Sequence, residues 1–215
     1  MGEMRPEIKF CGLMRVEDAA MAASLGARYV GVIFAGGPRA LTPERARVVL
    51  DGAGRGVKRV GVFGTADPGA IADVVAAALL DVVQLHGDPA PSDVEAVRAR
   101  TRCEIWSVVR VDGGVLPEGT QAAFEAADAV LLDARVSGRL GGTGVALPWD
   151  ALAPAVAPLR TGHRVVLAGG LTPENVGHAI GALAPDVVDV SSGVERGVGE
   201  KDHQRMRMFV EAVQG

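Results

Sequence analysis

Eight short apolar runs recur along the chain at near-even spacing, and that rhythm limits the fold more than any single motif does. They fall at 8–11, 29–34, 57–63, 81–85, 104–109, 129–132, 164–167 and 187–190. Runs this short, rich in branched residues and followed by turn residues, read as strands buried on both faces. Their starts lie 21 to 28 residues apart, except for 35 residues across the segment after Asp133. Helical patterns fill the gaps. Thr42-Pro43 opens one, with Ala46, Val49 and Leu50 on a single face, and Asp67-Pro68 opens another. Thr172-Pro173-Glu174 is expected to open a third, carrying Val176, Ala179, Ile180 and Leu183 at i, i+3, i+4 and i+7. Met206, Phe209, Val210 and Val213 repeat that spacing in the last helix. Weaker helical patterns occupy 16–25, 92–100 and 121–127. Alternating βα units imply a parallel sheet, and eight of them predict an α/β fold: one (β/α)8 TIM barrel over residues 1–215. An open doubly wound sheet is the alternative, but no strand–GxGxxG–helix fingerprint with a following acid is present.

Composition narrows the class further. A chain of 215 residues that is 48% hydrophobic can bury a full core. A net charge of −4 without a Lys/Arg cluster argues against nucleic acid as a partner. No apolar run has membrane-spanning length, and no signal-peptide pattern opens the chain. Two cysteines make no disulfide framework, so a reducing cytoplasm is the expected setting. Monomer and homodimer are both compatible with the sequence.

In such a barrel, chemistry sits where the strands end. The sixth run stops at Asp133, an acid at the barrel mouth. The glycines Gly138, Gly141, Gly142 and Gly144 follow, bare backbone suited to an anion or a closing lid. In the first run, Ile8 and Phe10 should face the helices, which turns Lys9 and Cys11 inward. A thiol beside an ammonium has its thiolate favoured, which suits a base; a small core residue is the other reading of Cys11. Cys103 starts the fifth run, at the wrong end for chemistry. The seventh and eighth runs end in Gly169-Gly170 and in Ser191-Ser192-Gly193. Loops in those positions are the usual phosphate site of this barrel, although tight turns alone also call for Gly and Ser.

These stretches match a known family in order. The chain resembles the phosphoribosylanthranilate isomerases of tryptophan biosynthesis. The resemblance is carried by Lys9-Phe10-Cys11-Gly12-Leu13 with Arg15, Glu17 and Asp18; by Pro38-Arg39; and by Arg59 to Phe63. Val83-Gln84-Leu85-His86-Gly87, Leu131-Leu132-Asp133 and Gly141-Gly142-Thr143-Gly144 continue it. Leu167 to Asn175, Asp189 to Glu195, and Lys201-Asp202 complete it. It implies an Amadori rearrangement of a small phosphoribosyl substrate, with Cys11 as general base and Asp133 as general acid. It implies that Arg39 pairs with the anthranilate carboxylate and that Asp189 lies beside the substrate. Phosphate would be held by the loops containing Gly142, Gly144, Gly169, Gly170, Ser191, Ser192 and Gly193. No metal or organic cofactor is needed, because the substrate's imine is the electron sink. Opening the ribose ring asks for a protonated acid near neutral pH, so Asp133 should have a raised pKa. The main departure from the family pattern is Ala35-Gly36-Gly37 before Pro38, beside the expected anthranilate pocket. His86 and Lys9 receive no catalytic role.

Overall fold

A computed structural model describes residues 5–64, 67–134 and 147–215. Eight parallel strands close a barrel in sequence order. They are β1 (Glu7–Phe10), β2 (Tyr29–Ile33), β3 (Lys58–Phe63), β4 (Val82–Leu85), β5 (Glu104–Val111), β6 (Ala129–Ala134), β7 (Val165–Leu167) and β8 (Val187–Val190). Pairing of β1 with β8, Lys9 opposite Asp189 and Phe10 opposite Val190, shuts the ring. Helices α1 (Val16–Ser24), α2 (Pro43–Asp51), α3 (Pro68–Ala78), α4 (Pro91–Arg98), α5 (Thr120–Ala126), α6 (Trp149–Val156), α7 (Val176–Leu183) and α8 (His203–Gln214) alternate with the strands.

The period of two along each strand divides the core into two layers. Outward side chains such as Ile8, Phe10, Val30, Val83, Leu132 and Val188 pack against the helices in one large cluster. Phe10 meets Phe209 of α8 edge-on, with centroids 6.2 Å apart. Inward residues form a second cluster, Tyr29, Val60, Val82, Trp106, Val108, Leu131 and Val187 among them, which fills the barrel axis. Lys9 and Cys11 face inward, as the alternation predicts.

Thr42 and Asp67 cap α2 and α3, each accepting a backbone N–H three residues on, with proline following. The seventh helix departs from expectation. It starts at Val176, not at Thr172-Pro173, because Asn175 holds the preceding residues in a turn. Its Oδ1 accepts from the Thr172 N–H at 2.8 Å and its Nδ2 donates to the Gly170 carbonyl at 2.9 Å. Two further short strands, β9 (Glu195–Gly197) and β10 (Glu200–Lys201), form an antiparallel hairpin after β8. The apolar periodicity carries no sign of this hairpin, whose residues are mostly charged or glycine.

Candidate active site

The C-terminal ends of the strands surround a cavity of about 660 Å³. Cys11, Arg39, Asp133, Gly169, Gly170, Asp189, Ser191, Ser192 and Gly193 all line it, so nine of the sequence-derived positions meet in one place. Gly142 and Gly144 lie outside the described residues.

Two ionisable pairs set the electrostatics. On the floor, Lys9 donates to Asp189 Oδ2 at 2.7 Å, and both side chains are buried. Burial alone would lower the ammonium pKa, but Asp189 and the neighbouring Cys11 hold it above the ordinary lysine value. Asp189 Oδ1 has no partner among the described residues. A buried carboxylate oxygen left open at a cavity wall is an acceptor for a ligand hydroxyl or N–H. Cys11 differs from the sequence-based expectation. Burial pushes its thiol up and the Asp189 carboxylate adds to the rise, so the pull of Lys9 offsets this only in part. The resting group is therefore the thiol.

Across the cavity, Asp133 closes β6. Burial pushes its carboxyl up to about 6, with Asp189 adding to the rise, while a bond from the Ala134 N–H at 2.9 Å pulls the other way. This is the direction that the acid role requires. Gly169 permits the arrangement, since a Cβ there would come within 2.9 Å of Asp133 Oδ1. His86 Nε2 stands 3.6 Å from Asp133 Oδ2, beyond hydrogen-bond reach. Burial, with Lys9 and Arg110 nearby, brings His86 down to about 4, so it is neutral and the two make no ion pair at pH 7.

Sequence reasoning missed Gly31. A Cβ there would sit 3.2 Å from Cys11 Sγ and 3.3 Å from Lys9 Cε, so its bare backbone makes the room both side chains occupy. The available signal was an inward-facing glycine in a run of large apolar residues. It also missed the setting of Arg39, which is paired with Glu195 at 2.6 Å. The Arg39 loop is anchored to β2 by the Leu41 N–H bond to the Ile33 carbonyl, 3.0 Å. Cys103, as expected, lies away from the site; its Sγ approaches the Leu80 carbonyl at 3.2 Å.

A closed (β/α)8 barrel with buried ionisable groups gathered around a cavity at its C-terminal mouth has the architecture of a barrel enzyme. Comparison with known proteins specifies which. The model of the family described as N-(5'phosphoribosyl)anthranilate (PRA) isomerase matches residues 8–212. The chain is 42% identical over 207 residues to the N-(5'-phosphoribosyl)anthranilate isomerase of Pseudomonas aeruginosa strain LESB58, covering 96% of this chain and 94% of that one. The phosphoribosyl anthranilate isomerase of Thermotoga maritima superposes with a TM-score of 0.87 at 34% identity, covering 98% and 99% of the two chains. A phosphoribosyl anthranilate isomerase in complex with reduced 1-(o-carboxyphenylamino)-1-deoxyribulose 5-phosphate superposes at 0.84, with 33% identity and the same coverage. The chain belongs to the phosphoribosylanthranilate isomerase family and is an isomerase of tryptophan biosynthesis.

Proposed function

We propose that this chain acts as one catalytic barrel that converts N-(5-phosphoribosyl)anthranilate to 1-(2-carboxyphenylamino)-1-deoxyribulose 5-phosphate, with Asp133 as general acid and Cys11 as general base. The observation that carries the reading is the pairing of these two groups. They open into one cavity from β1 and β6, and the carboxyl is held near 6 by burial. Asp133 delivers its proton to the ribose ring oxygen as the C1′–O bond breaks and the anthranilate nitrogen lone pair forms the C1′=N bond. Cys11 then removes the C2′ proton. The C–H electrons form C1′=C2′ and the imine electrons return to nitrogen, giving the enolamine. Protonation at C1′ and loss of the C2′ hydroxyl proton yield the ketone. Asp133 loses one proton and Cys11 gains one, so the site keeps its proton count through the turnover.

The resting protonation states run opposite to the reacting ones. At pH 7 the empty site holds a thiol and, mostly, a carboxylate, whereas the reaction needs a thiolate and a carboxylic acid. The two forms have the same total charge and differ by one internal proton transfer, so a small fraction of the enzyme is always poised. The substrate phosphate, a dianion near pH 7, raises Asp133 further. Arg39 receives the anthranilate carboxylate, and the open Asp189 Oδ1 receives a ribose hydroxyl. The phosphate goes to Gly142, Gly144, Gly169, Gly170, Ser191, Ser192 and Gly193. Two unpaired cysteines fit a cytoplasmic setting. The test is turnover of substrate generated in place, followed through loss of anthranilate fluorescence; purified protein that leaves the signal unchanged defeats the reading.

A further inference from the structure

Arg39 and Glu195 stand 156 residues apart in sequence and form a two-point contact. Arg39 Nε donates to Glu195 Oε1 at 2.9 Å, and Nη2 donates to Oε2 at 2.6 Å. Both bonds use one edge of the planar guanidinium. Of its five N–H donors, three remain: two on Nη1 and one on Nη2. One N–H of each Nη lies along the end of the guanidinium, where a second carboxylate fits in the same two-point manner. Glu195 therefore does not compete with a substrate carboxylate for Arg39. It occupies the Nε/Nη2 edge of a side chain that lines the cavity.

Glu195 is itself held. Its side chain is 5% exposed, and Lys201, fully buried on the β9–β10 hairpin, donates to Oε1 at 2.9 Å. The same Lys201 Nζ donates to the Ser191 carbonyl at 3.0 Å, at the end of β8. The Lys201 backbone is pinned in turn, because its N–H donates to buried Asp18 Oδ2 at 3.2 Å, and Asp18 is paired with Arg15 at 2.7 Å. Burial alone would push Glu195 up, but Arg39 and Lys201 hold it below the ordinary carboxylate value, so the brace stays charged. At its other end, Arg39 lies across the start of the β1 loop. A Cβ on Gly12 would come within 2.9 Å of Arg39 Cδ.

We propose that Glu195, braced by Lys201, is a positioning residue that aims the free edge of Arg39 at the substrate's aryl carboxylate and ties that end of the site to the Ser191 loop. The proposal rests on the reading of Arg39 as the carboxylate partner, and the test separates the two. Kinetics are measured for Arg39→Ala, Glu195→Gln and the Arg39→Ala/Glu195→Gln pair. Inhibition is measured with the reduced product analogue and with its counterpart lacking the aryl carboxyl. Glu195→Gln should raise KM about tenfold with kcat within about threefold, as expected for a misaimed two-point ionic contact. It should weaken the carboxylated analogue to the same degree, spare the decarboxylated one, and add nothing once Arg39 is alanine. Because Glu195→Gln leaves Lys201 buried without its anion, Glu195→Gln/Lys201→Met removes both charges. This variant should fold and still lose affinity for the carboxylated analogue selectively. Equal losses for the two analogues, an additive effect in the Arg39→Ala background, or wild-type KM in either Glu195 variant overturns the positioning role. An unchanged KM in Arg39→Ala overturns the carboxylate reading as well.

Discussion

The two ends of this barrel use the same kinds of residue in opposite ways. At the N-terminal end, Glu7 pairs with Arg164, and Lys58 with Glu104. Arg164 also reaches Glu104 at 3.8 Å and lies over the Tyr29 ring at 5.5 Å. Tyr29 donates to Glu7 at 3.3 Å and packs edge-on against Trp106 at 4.9 Å. Each of these charges has a partner and the aromatic pair plugs the axis, with Trp106 Nε1 as a buried polar atom lacking a hydrogen-bond partner among the described residues. At the C-terminal end, Asp189 Oδ1, His86 Nε2 and Gln84 Oε1 are buried with no partner among the described residues. Asp133 is buried far enough to shift its pKa to about 6. Polar groups with satisfied bonds hold a fold together, whereas buried groups left open are costly unless a ligand completes them. The barrel is closed at one end by stability and left incomplete at the other for chemistry.

The sharpest way to break this comparison is to remove the open groups. Cys11→Ser and Asp133→Asn should each lower kcat by about 10²–10⁴-fold, the usual worth of a positioned acid or base, with ligand binding largely kept. Wild-type rates in both would dissolve the proposed acid–base pair. Next is Gly31→Ala, whose Cβ would press on Cys11 and Lys9 from 3.2 and 3.3 Å. We expect kcat to fall roughly 10- to 100-fold while the protein still folds, since small misplacement of a reacting group is costly. Unaltered kinetics would mean that Cys11 needs no exact seat.

A third prediction concerns the stability cost of the open end. Asp133 has a folded-state pKa of about 6 against 3.8 as its ordinary value, so the native state holds the proton more tightly than the unfolded chain. Its contribution to stability is therefore present below about pH 4 and is lost as pH rises through 6. Asp133→Asn should be more stable than wild type at pH 8, by up to about 3 kcal/mol, and the gain should vanish toward pH 4. Denaturant melts at both pH values check this, and a gain that does not depend on pH would refute it. The same shift predicts that kcat/KM falls about tenfold per unit below pH 6 and stays flat past the ordinary thiol value of 9.0. Binding of the product analogue, measured in parallel, accounts for titration of the phosphate. The smallest effect belongs to the paired end. Arg164→Met should cost about 1 kcal/mol in a partly exposed network and leave kcat unchanged. A large loss of activity there would show that the two ends are coupled.

The sequence by itself determined the architecture and the parity of the strands. Eight apolar runs with helices between them admit few folds, and a period of two sends Lys9 and Cys11 inward whatever surrounds them. The order of motifs identified the family for the same reason: strand ends are local in sequence. The tertiary structure decided what those groups became electrically. Lys9 faces Asp189 across 180 residues, so the ammonium that favours the Cys11 thiolate comes with an opposing carboxylate, and burial leaves the thiol protonated. Arg39 met Glu195, itself held by Lys201, through a charged hairpin with no hydrophobic periodicity to announce it. Direction along a strand is a property of the backbone, legible residue by residue. Charge state and pairing depend on distance and burial, and those exist only once the barrel has closed.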